Sequence, residues 1–262
     1  MTGRRSYAPA PPEPPKSALG RLNPMTQLGL AGVLALAALL FPWYVGVAVT
    51  IICFAMAGML GKFGGFFKIW WKTILVLVII ILILQTFFIG GDTVLYEIGP
   101  IKATQEGLDR GISFAGRVLG MGSAILLLTQ MLDIHKLVQE MEQRGYHPKF
   151  TYVILATVNI IPEMGKRMTV IMDAQRSRGI ETDANVWVRA KAFVPTIGPL
   201  ILTSIVSVEE KALTLESRGF SIDGPRTSLH RVEDPPAEKT ARRILLLVAV
   251  LLVIGGILLW VL

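Results

Sequence analysis

Residues Thr73 to Leu84 read Thr-Ile-Leu-Val-Leu-Val-Ile-Ile-Ile-Leu-Ile-Leu, an almost unbroken run of branched aliphatic side chains. An α-helix needs about 20 mostly apolar residues to cross a bilayer. The run continues to Ile89 with few polar residues, so it predicts a transmembrane helix. Of the 262 residues, 52% are hydrophobic, and the mean hydropathy is +0.56. These values exceed those of an ordinary soluble domain and indicate a membrane protein with several spans.

Four further stretches are candidate spans, although the first of them is short. The predicted spans are Thr26–Phe41, Trp43–Leu60, Thr73–Ile89, Ile112–Met131 and Ile244–Leu262. Only Phe41-Pro42-Trp43-Tyr44 joins the first two, which predicts a tight hairpin with aromatic residues at the depth of the membrane interface. We therefore predict an all-α membrane protein with about five transmembrane helices. Amphipathic cytosolic helices are expected between the fourth and the last span.

The charge distribution predicts an orientation. The net charge is +7, which can indicate nucleic-acid binding. Here the basic residues Lys62, Lys68 and Lys72 lie in a predicted short loop, Gly61–Lys72, whereas the segment between the third and fourth spans is mainly acidic. Basic residues concentrate on the cytosolic side of membrane proteins. We therefore expect no nucleic-acid partner, a cytosolic N-terminus and an external C-terminus.

Four regions follow from this pattern. Residues 1–24 form a proline-rich tail, predicted to be cytosolic and disordered. Residues 25–131 form a four-helix transmembrane region, residues 132–241 a cytosolic region, and residues 242–262 a last transmembrane helix. A linker is the simplest role for the tail, and a ligand for a proline-binding module is the alternative.

The region 132–241 alternates apolar and charged residues at helical spacing. It predicts amphipathic helices over Leu132–Arg144, Glu163–Arg178 and Leu200–Arg218. Phe150–Ile161 and Val186–Val194 are expected as separate pieces, because prolines interrupt the pattern at Pro162, Pro195 and Pro199. The apolar stretches Tyr152–Ile161 and Pro195–Val208 are expected at the membrane interface or packed under the spans.

Three of these helices end in Arg-Gly. Glycine after the last turn adopts the left-handed conformation cheaply, and arginine complements the negative helix end, which explains Arg144-Gly145. The other two endings share a longer tripeptide, Ser177-Arg178-Gly179 and Ser217-Arg218-Gly219. A guanidinium at a helix tip can enter a groove on a soluble partner and bind a carboxylate with two hydrogen bonds. The repeat therefore suggests two docking elements for two similar partners.

In this order the motifs resemble a known family. The segments that carry the resemblance are Leu22-Asn23-Pro24-Met25-Thr26, Ile161-Pro162-Glu163, Ala174-Gln175-Arg176-Ser177-Arg178-Gly179, Val194-Pro195 and Glu216-Ser217-Arg218-Gly219-Phe220. They are similar to the transmembrane T component of energy-coupling factor (ECF) transporters, the CbiQ/EcfT family of vitamin and metal-ion importers. The resemblance runs from about Arg21 to Phe220. The family usually has alanine where Ser177 and Ser217 stand, but serine is also small, and the arginine and glycine are retained.

The resemblance implies a subunit that couples ATPase motion to transport. Arg178 and Arg218 would lie in grooves on two ABC ATPase subunits, and a small substrate-binding membrane protein (S component) would complete the importer. The resemblance implies supporting roles near the two tripeptides for Ala174, Gln175, Arg176, Glu216, Phe220, Pro162 and Pro195. The chain would have no cofactor of its own, because the partner subunits would bind ATP. The substrate would be a vitamin or a cobalt or nickel ion.

Catalytic and metal sites are not expected. No Walker A sequence is present, and His135, His147 and His230 are scattered. The single cysteine, Cys53, is predicted to be a packing residue. Two alternatives stay open. One is a membrane scaffold or receptor whose cytosolic helices bind a non-ATPase partner, and the other is a membrane-embedded enzyme that uses Asp133, His135 and Arg117.

Two features of the fourth span have more than one interpretation. Arg117 is its main intramembrane charge and is either functional or structural. Gly116 and Gly120 form a small-residue face. That face is expected to pack within the chain, and contact with a membrane partner is the alternative.

Overall fold

Nine α-helices and one hairpin occur in the computed structural model, which describes residues 19–88, 93–98, 101–179, 186–222 and 234–261. The helices are α1 (Pro24–Leu40), α2 (Trp43–Met59), α3 (Phe63–Trp70), α4 (Val76–Phe88), α5 (Gln105–Met131), α6 (Ile134–Gln143), α7 (Pro148–Ser177), α8 (Val186–Ser217) and α9 (Pro236–Val261). The strands are β1 (Val94–Ile98) and β2 (Ile101–Thr104). Most of the proline-rich tail, and His230, lie outside the described residues.

The chain forms two compact units. The membrane unit comprises Met1–Leu137 and Val232–Leu262, and the paired-helix unit comprises Val138–Arg231.

Five apolar helices of the membrane unit correspond to the five predicted spans. Three are long and apolar enough to cross a membrane, namely Phe63–Phe88, Gln105–Met131 and Pro236–Leu258. The other two, α1 and α2, have 17 residues each and are also apolar. At 1.5 Å per residue each is about 25 Å long, slightly less than the hydrocarbon core. The all-α membrane fold predicted from the sequence is confirmed.

The entry to α1 and its turn into α2 follow from local sequence. Asn23 caps α1, because its side chain accepts a hydrogen bond from the amide of Met25 at 3.0 Å. Pro24 occupies the first helical position, where its missing N–H costs nothing. Only Phe41 and Pro42 separate α1 from α2, so the predicted tight hairpin is present.

The third span differs from its prediction. Gly61–Lys72 was expected to be a short loop, but Phe63–Trp70 is helical and continues through a π-helical turn, Trp71–Leu75, into α4. The reason is aromatic packing, since Phe54 of α2 contacts the rings of Phe66 and Trp70 with centroids 5.0 and 5.1 Å away. Those contacts outweigh the low helix propensity of the two glycines inside α3.

Close packing brings α5 to the centre of the membrane unit. A Cβ added to Gly120 would lie 2.7 Å from Cβ of Ala38 and 2.7 Å from Cα of Gly46. A Cβ on Gly116 would lie 2.6 Å from Cβ of Trp43. The small-residue face of the fourth span therefore packs against α1 and α2 of the same chain, as expected. Cys53 is fully buried in this core, in agreement with its predicted packing role.

A chain of hydrogen bonds runs through the same core. Trp70 Nε1 donates to Ser123 Oγ at 2.8 Å, and Ser123 Oγ donates to the carbonyl of Leu119 at 2.7 Å. Thr50 Oγ lies 3.3 Å from Ser123 Oγ and donates to the carbonyl of Gly46. These bonds satisfy the buried polar groups that link α2, α3 and α5.

The hairpin between α4 and α5 was not predicted. Strands β1 and β2 pair antiparallel, with Ile98 opposite Ile101. After the hairpin, α5 begins at Gln105 rather than at Ile112, because Thr104 accepts a hydrogen bond from the amide of Gly107 and caps the helix. The first two turns of α5 therefore carry charged residues.

The last helix also begins earlier than its predicted span. Pro236 stands at the first position of α9, and Glu238 Oε2 accepts hydrogen bonds from the Asn23 amide at 2.7 Å and from Thr26 Oγ1 at 3.1 Å. Glu238 thereby fastens the start of α9 to the start of α1, so the helix extends beyond its apolar part.

The prolines of the paired-helix unit do not interrupt its helices. Pro162 lies inside α7, and Pro195 and Pro199 lie inside α8. The predictions of a helix starting at Glu163 and of breaks before Leu200 are therefore wrong. An internal proline costs about 3 kcal/mol, and the helical hydrogen bonds on both sides of it, together with contacts between α7 and α8, offset that cost.

Candidate functional site

Helices α7 and α8 pack antiparallel. Met172 Sδ accepts a hydrogen bond from Thr196 Oγ1 near the start of α8, and Met164 Sδ accepts one from Ser204 Oγ farther along it. At the other end, the ring of Tyr152, near the start of α7, lies 5.2 Å from that of Phe220, just after α8. Residue numbers therefore increase along α7 in the direction in which they decrease along α8.

The antiparallel pairing places the two Ser-Arg-Gly tripeptides at opposite ends. Ser177 is the last residue of α7, and Arg178 and Gly179 follow it. Ser217 is the last residue of α8, and Arg218 and Gly219 follow it, just before Phe220, whose ring contacts Tyr152. With 1.5 Å per helical residue, the distance from Tyr152 to Ser177 along α7 is roughly 38 Å. The two tips are therefore far enough apart to bind two separate proteins.

Each Arg-Gly ending has the same backbone. Gly145, Gly179 and Gly219 have φ values of 86°, 85° and 72°, the left-handed conformation that glycine adopts most readily. At α8, the Gly219 amide donates to the carbonyl of Glu216 and the Phe220 amide to that of Leu215. These two bonds form a Schellman motif. The left-handed glycine at each of the three sites is therefore explained by ordinary helix termination.

The arginine side chains distinguish the three endings. Arg144 Nε lies 2.7 Å from Oε1 of Glu140, a carboxylate that is nearly buried. Arg178 and Arg218 are exposed, and neither guanidinium forms a hydrogen bond or ion pair with any residue that the structure describes. Arg144 therefore forms an ion pair with a residue of its own helix, whereas the guanidinium groups of Arg178 and Arg218 are available to a ligand.

The serines of the tripeptides bond to their own helices. Ser177 Oγ donates to the carbonyl of Asp173 at 3.1 Å, and Ser217 Oγ donates to that of Thr214 at 2.9 Å. Each hydroxyl is thereby occupied within the last turn. A serine held this way takes up little more space than alanine, and Ser177 and Ser217 leave the neighbouring arginines unobstructed.

The predicted supporting residues have different environments. Gln175 is buried, and Phe220 packs on Tyr152. Arg176 lies 3.7 Å from Asp173, one turn earlier. The remaining supporting residues are exposed, namely Ala174, Glu216, Pro162 and Pro195. The structure thus brings Ala174–Gly179 together at one tip and Glu216–Phe220 at the other, whereas Pro162 and Pro195 lie within the helices.

A polar network that the sequence prediction missed joins α7 to α8 between the tips. Arg167 Nη2 lies 2.6 Å from Glu163 Oε1 and 2.6 Å from Ser207 Oγ. Lys211 Nζ lies 2.9 Å from the other oxygen of Glu163. Hydrogen bonds from Lys211 and Arg167 lower the pKa of Glu163. The spacing of Glu163 and Arg167 signals an i,i+4 pair, but nothing in the sequence pairs either with Lys211.

The residues of the enzyme alternative do not converge. Asp133 Oδ1 accepts a hydrogen bond from the amide of His135, and both side chains are exposed at the start of α6. Arg117 lies on α5, 16 positions before Asp133. At about 1.5 Å per helical residue, this separation is roughly 24 Å. Asp133 therefore acts as a helix cap, and the three groups cannot act on one substrate.

Comparison with known proteins gives consistent matches. A family model described as CbiQ, cobalt transport protein, matches residues 15–229, which include both tripeptides. The chain is 28% identical over 172 residues to the energy-coupling factor transporter transmembrane protein EcfT of Lacticaseibacillus paracasei, covering 62% of this chain and 65% of that protein. The EcfT protein of Limosilactobacillus fermentum is 25% identical over 241 residues, which are 83% of this chain and 89% of that protein. The chain thus spans slightly less than two thirds of the first relative and most of the second.

Proposed function

The chain belongs to the CbiQ family of cobalt transport proteins, and from that premise we propose that it is the energy-coupling transmembrane subunit of an ECF-type ABC importer. It transmits the motion of two ABC ATPase subunits to a substrate-binding membrane subunit, the S component. The imported substrate is a vitamin or a transition-metal ion. The similarity to proteins named energy-coupling factor transporter transmembrane protein EcfT supports the energy-coupling part of this proposal.

The main support for the docking role is that two exposed arginines without a described partner lie at opposite ends of one helix pair. The guanidinium of Arg178 enters a groove on one ATPase and that of Arg218 a groove on the other, each binding a carboxylate with two hydrogen bonds. Arg144 has the same Arg-Gly ending but is paired with Glu140. This contrast supports a role for Arg178 and Arg218 in binding a partner.

The antiparallel pair provides the mechanical link. When ATP closes the ATPase dimer, the two grooves approach each other, and the tips held in them must follow. The central bonds from Arg167 and Lys211 to Glu163 keep α7 and α8 in register during that motion. The displacement then reaches the membrane unit and tilts or releases the S component.

The chain itself performs no catalysis in this proposal. ATP binding and hydrolysis take place in the partner ATPases, so the chain needs neither a cofactor nor a metal ion of its own. It lies in the cell membrane with a cytosolic N-terminus and an external C-terminus, and the two arginine tips face the cytosol in this proposal.

The test is charge reversal at one tip, at the other and at both. Arg178→Glu and Arg218→Glu are each expected to weaken ATPase binding, and the double variant to abolish co-purification and uptake. Loss of one buried charge pair typically costs about 2–5 kcal/mol, or roughly thirtyfold to several thousandfold in Kd. The matched control is Lys166→Glu, an exposed position on α7 that contacts no partner group among the described residues.

Co-purification from native membranes, followed by mass spectrometry, gives the result. The proposal is supported if two ATPases and a small hydrophobic protein co-purify with the wild type and with the control, and if no ATPase co-purifies with the double variant. Equal ATPase capture by all variants would overturn the docking role. Capture of a different soluble protein would favour the scaffold alternative.

A further inference from the structure

A polar notch lies between α4 and α5 on the hairpin side of the membrane unit. Its volume is about 440 Å³, and its lining residues are Gln85, Asp109, Arg110, Ser113, Phe114 and Arg117. Asp109, Ser113 and Arg117 recur every four residues and so form one stripe on α5. Neither the helix packing nor the proposed coupling role accounts for this concentration of polar groups.

The polar atoms of the notch lack partners. Arg117 Nε and Gln85 Oε1 are buried without a hydrogen bond in the part of the chain that the structure describes. Asp109 and Arg110 also line the cavity, but they are exposed and form no ion pair with described residues. Buried polar atoms are nearly always hydrogen-bonded, and each exception needs an explanation. A bound polar group would explain why two buried unsatisfied atoms, Arg117 Nε and Gln85 Oε1, belong to residues that line one cavity.

Two glycines of α5, Gly107 and Gly111, allow this helix to approach α4 closely near the notch. A Cβ on Gly107 would lie 2.6 Å from the carbonyl oxygen of Gln85, and one on Gly111 would lie 3.2 Å from Cβ of the same residue. This close approach of α5 to α4 brings Gln85 opposite the stripe. Arg117 lies about 18 Å along α5 from Gln105, so its side chain reaches from the apolar part of the helix toward the headgroup layer.

The surroundings of the notch are apolar. Phe114 is 48% exposed at its edge, and the neighbouring α4 residues Ile83 and Phe88 are 50% and 75% exposed. Such surfaces in a membrane-spanning segment face acyl chains. The notch therefore combines a cationic interior with a lipid-facing rim.

We propose that this notch binds the phosphate group of a phospholipid in the leaflet on the hairpin side. Arg117 and Arg110 donate charge-assisted hydrogen bonds to the phosphate oxygens, and Ser113 adds a hydroxyl donor. The two arginines outweigh Asp109, which leaves a net positive charge for the singly charged phosphodiester. An acyl chain lies along Phe114 and Ile83. This inference rests on the membrane fold alone and is independent of ATPase docking.

The experiment measures lipid retention by the full chain purified in mild detergent. Native mass spectrometry detects bound phospholipid after addition of phosphatidylglycerol, phosphatidylethanolamine or phosphatidylcholine. We expect Arg117→Gln to weaken binding about ten- to a hundredfold, which corresponds to loss of charge-assisted hydrogen bonds. Arg117→Lys should retain part of the affinity, and Asp109→Asn should favour phosphatidylglycerol. Lys68→Gln, an exposed cation on α3, is the matched control.

Two measurements keep a folding defect from being mistaken for lost binding. The circular dichroism and thermal unfolding of each variant must match those of the wild type. If Arg117→Gln is unstable, the lipid retained by Arg117→Lys provides the comparison. A photo-crosslinker at Phe114 in native membranes should capture lipid. Three outcomes would each overturn the proposal. The wild type and Arg117→Gln could retain lipid equally, inorganic phosphate could compete without any lipid being captured, or the crosslinker could capture a membrane protein.

Discussion

Arg167 of α7 donates a hydrogen bond from Nη2 to Oγ of Ser207 on α8, with 2.6 Å between the two atoms. The same guanidinium donates from Nη1 to the carbonyl oxygen of Thr203 at 3.1 Å. Because these bonds lie between Arg178 and Arg218, they connect the helices that carry the two tips. Sliding of one helix along the other would strain or break these bonds.

Arg167→Met should loosen the helix pair and leave both tips intact. The loss of hydrogen bonds to a charged group is expected to cost about 1.5–3 kcal/mol of local stability. We expect faster amide hydrogen exchange in α7 and α8, and lower uptake with ATPase binding retained. Lys166→Met is the control, because Lys166 is exposed. If exchange is the same in both variants, the Arg167 bonds do not hold the pair together.

Glu163 should make the stability of the chain depend on pH. Hydrogen bonds from Lys211, and then from Arg167, lower the pKa of Glu163 in the folded state. A carboxyl group with a lowered folded pKa stabilises the fold above its unfolded pKa and loses that contribution as the pH falls through the folded pKa. The advantage of the wild type over Glu163→Gln should therefore be present at about pH 7 and shrink below the ordinary glutamate value of about 4.3.

Thermal unfolding of the two proteins across that range tests the sign of the effect. The difference is expected to be small, since the carboxylate is partly exposed. Glu209→Gln, at an exposed position on α8, serves as the control. A stability gap that widens on acidification would contradict the assignment.

Gly120→Ala should destabilise the membrane unit. The added methyl group would lie 2.7 Å from Cα of Gly46 and 2.8 Å from its carbonyl oxygen, so the backbones of α2 and α5 would have to separate. Overpacking of this kind costs about 1–3 kcal/mol. Gly32→Ala on α1 meets nothing within 4 Å and should be neutral or stabilising. Thermal unfolding in detergent compares the two, and equal midpoints would refute the close contact.

Ser123→Ala should leave the buried Trp70 indole without its acceptor, because Nε1 donates to Ser123 Oγ at 2.8 Å. An unsatisfied buried donor costs about 1–3 kcal/mol. The double variant Ser123→Ala, Trp70→Phe removes both partners and should recover part of the stability. Thr129→Ala is the control, because Thr129 is exposed and bonds only to its own helix. Absence of recovery would indicate that lost packing, not the orphaned donor, causes the change.

Gly219→Ala should fray the end of α8. Gly219 has φ of 72°, and the added Cβ would also lie 3.1 Å from Cδ1 of Ile222. A non-glycine residue in this conformation costs roughly 1–2 kcal/mol. Gly165→Ala, inside α7 with open space around it, should instead stabilise its helix. Hydrogen exchange near Phe220 measures the effect, which should be accompanied by weaker ATPase binding at the Arg218 tip.

Some site features could be read from neighbouring residues alone. The left-handed glycines after Arg144, Arg178 and Arg218 follow from helix-ending chemistry, and all three have positive φ. The cap at Asp133 follows likewise from its position before His135. These features depend on contacts within one turn of helix, so local sequence determines them.

Other features could not be predicted from local patterns. Proline usually marks a helix boundary, yet α7 continues through Pro162 because its contacts with α8 stabilise the continuous helix. The two glycines inside α3 likewise favour a loop by local sequence, and the helix depends on contacts of Phe66 and Trp70 with Phe54 of α2.

Local sequence was enough to identify a membrane protein, because its long apolar runs favour the interior of a bilayer, and to predict that three helices end in Arg-Gly. Helix packing, by contrast, decided that Arg178 and Arg218 lie at opposite ends of an antiparallel pair, and the structure pairs Arg144 with Glu140 but gives neither Arg178 nor Arg218 a partner among the described residues. It also decided that Gln85 and Arg117 line one notch. Each of these depends on which helix packs beside which, and that is set by the sum of many weak contacts between residues far apart in the chain.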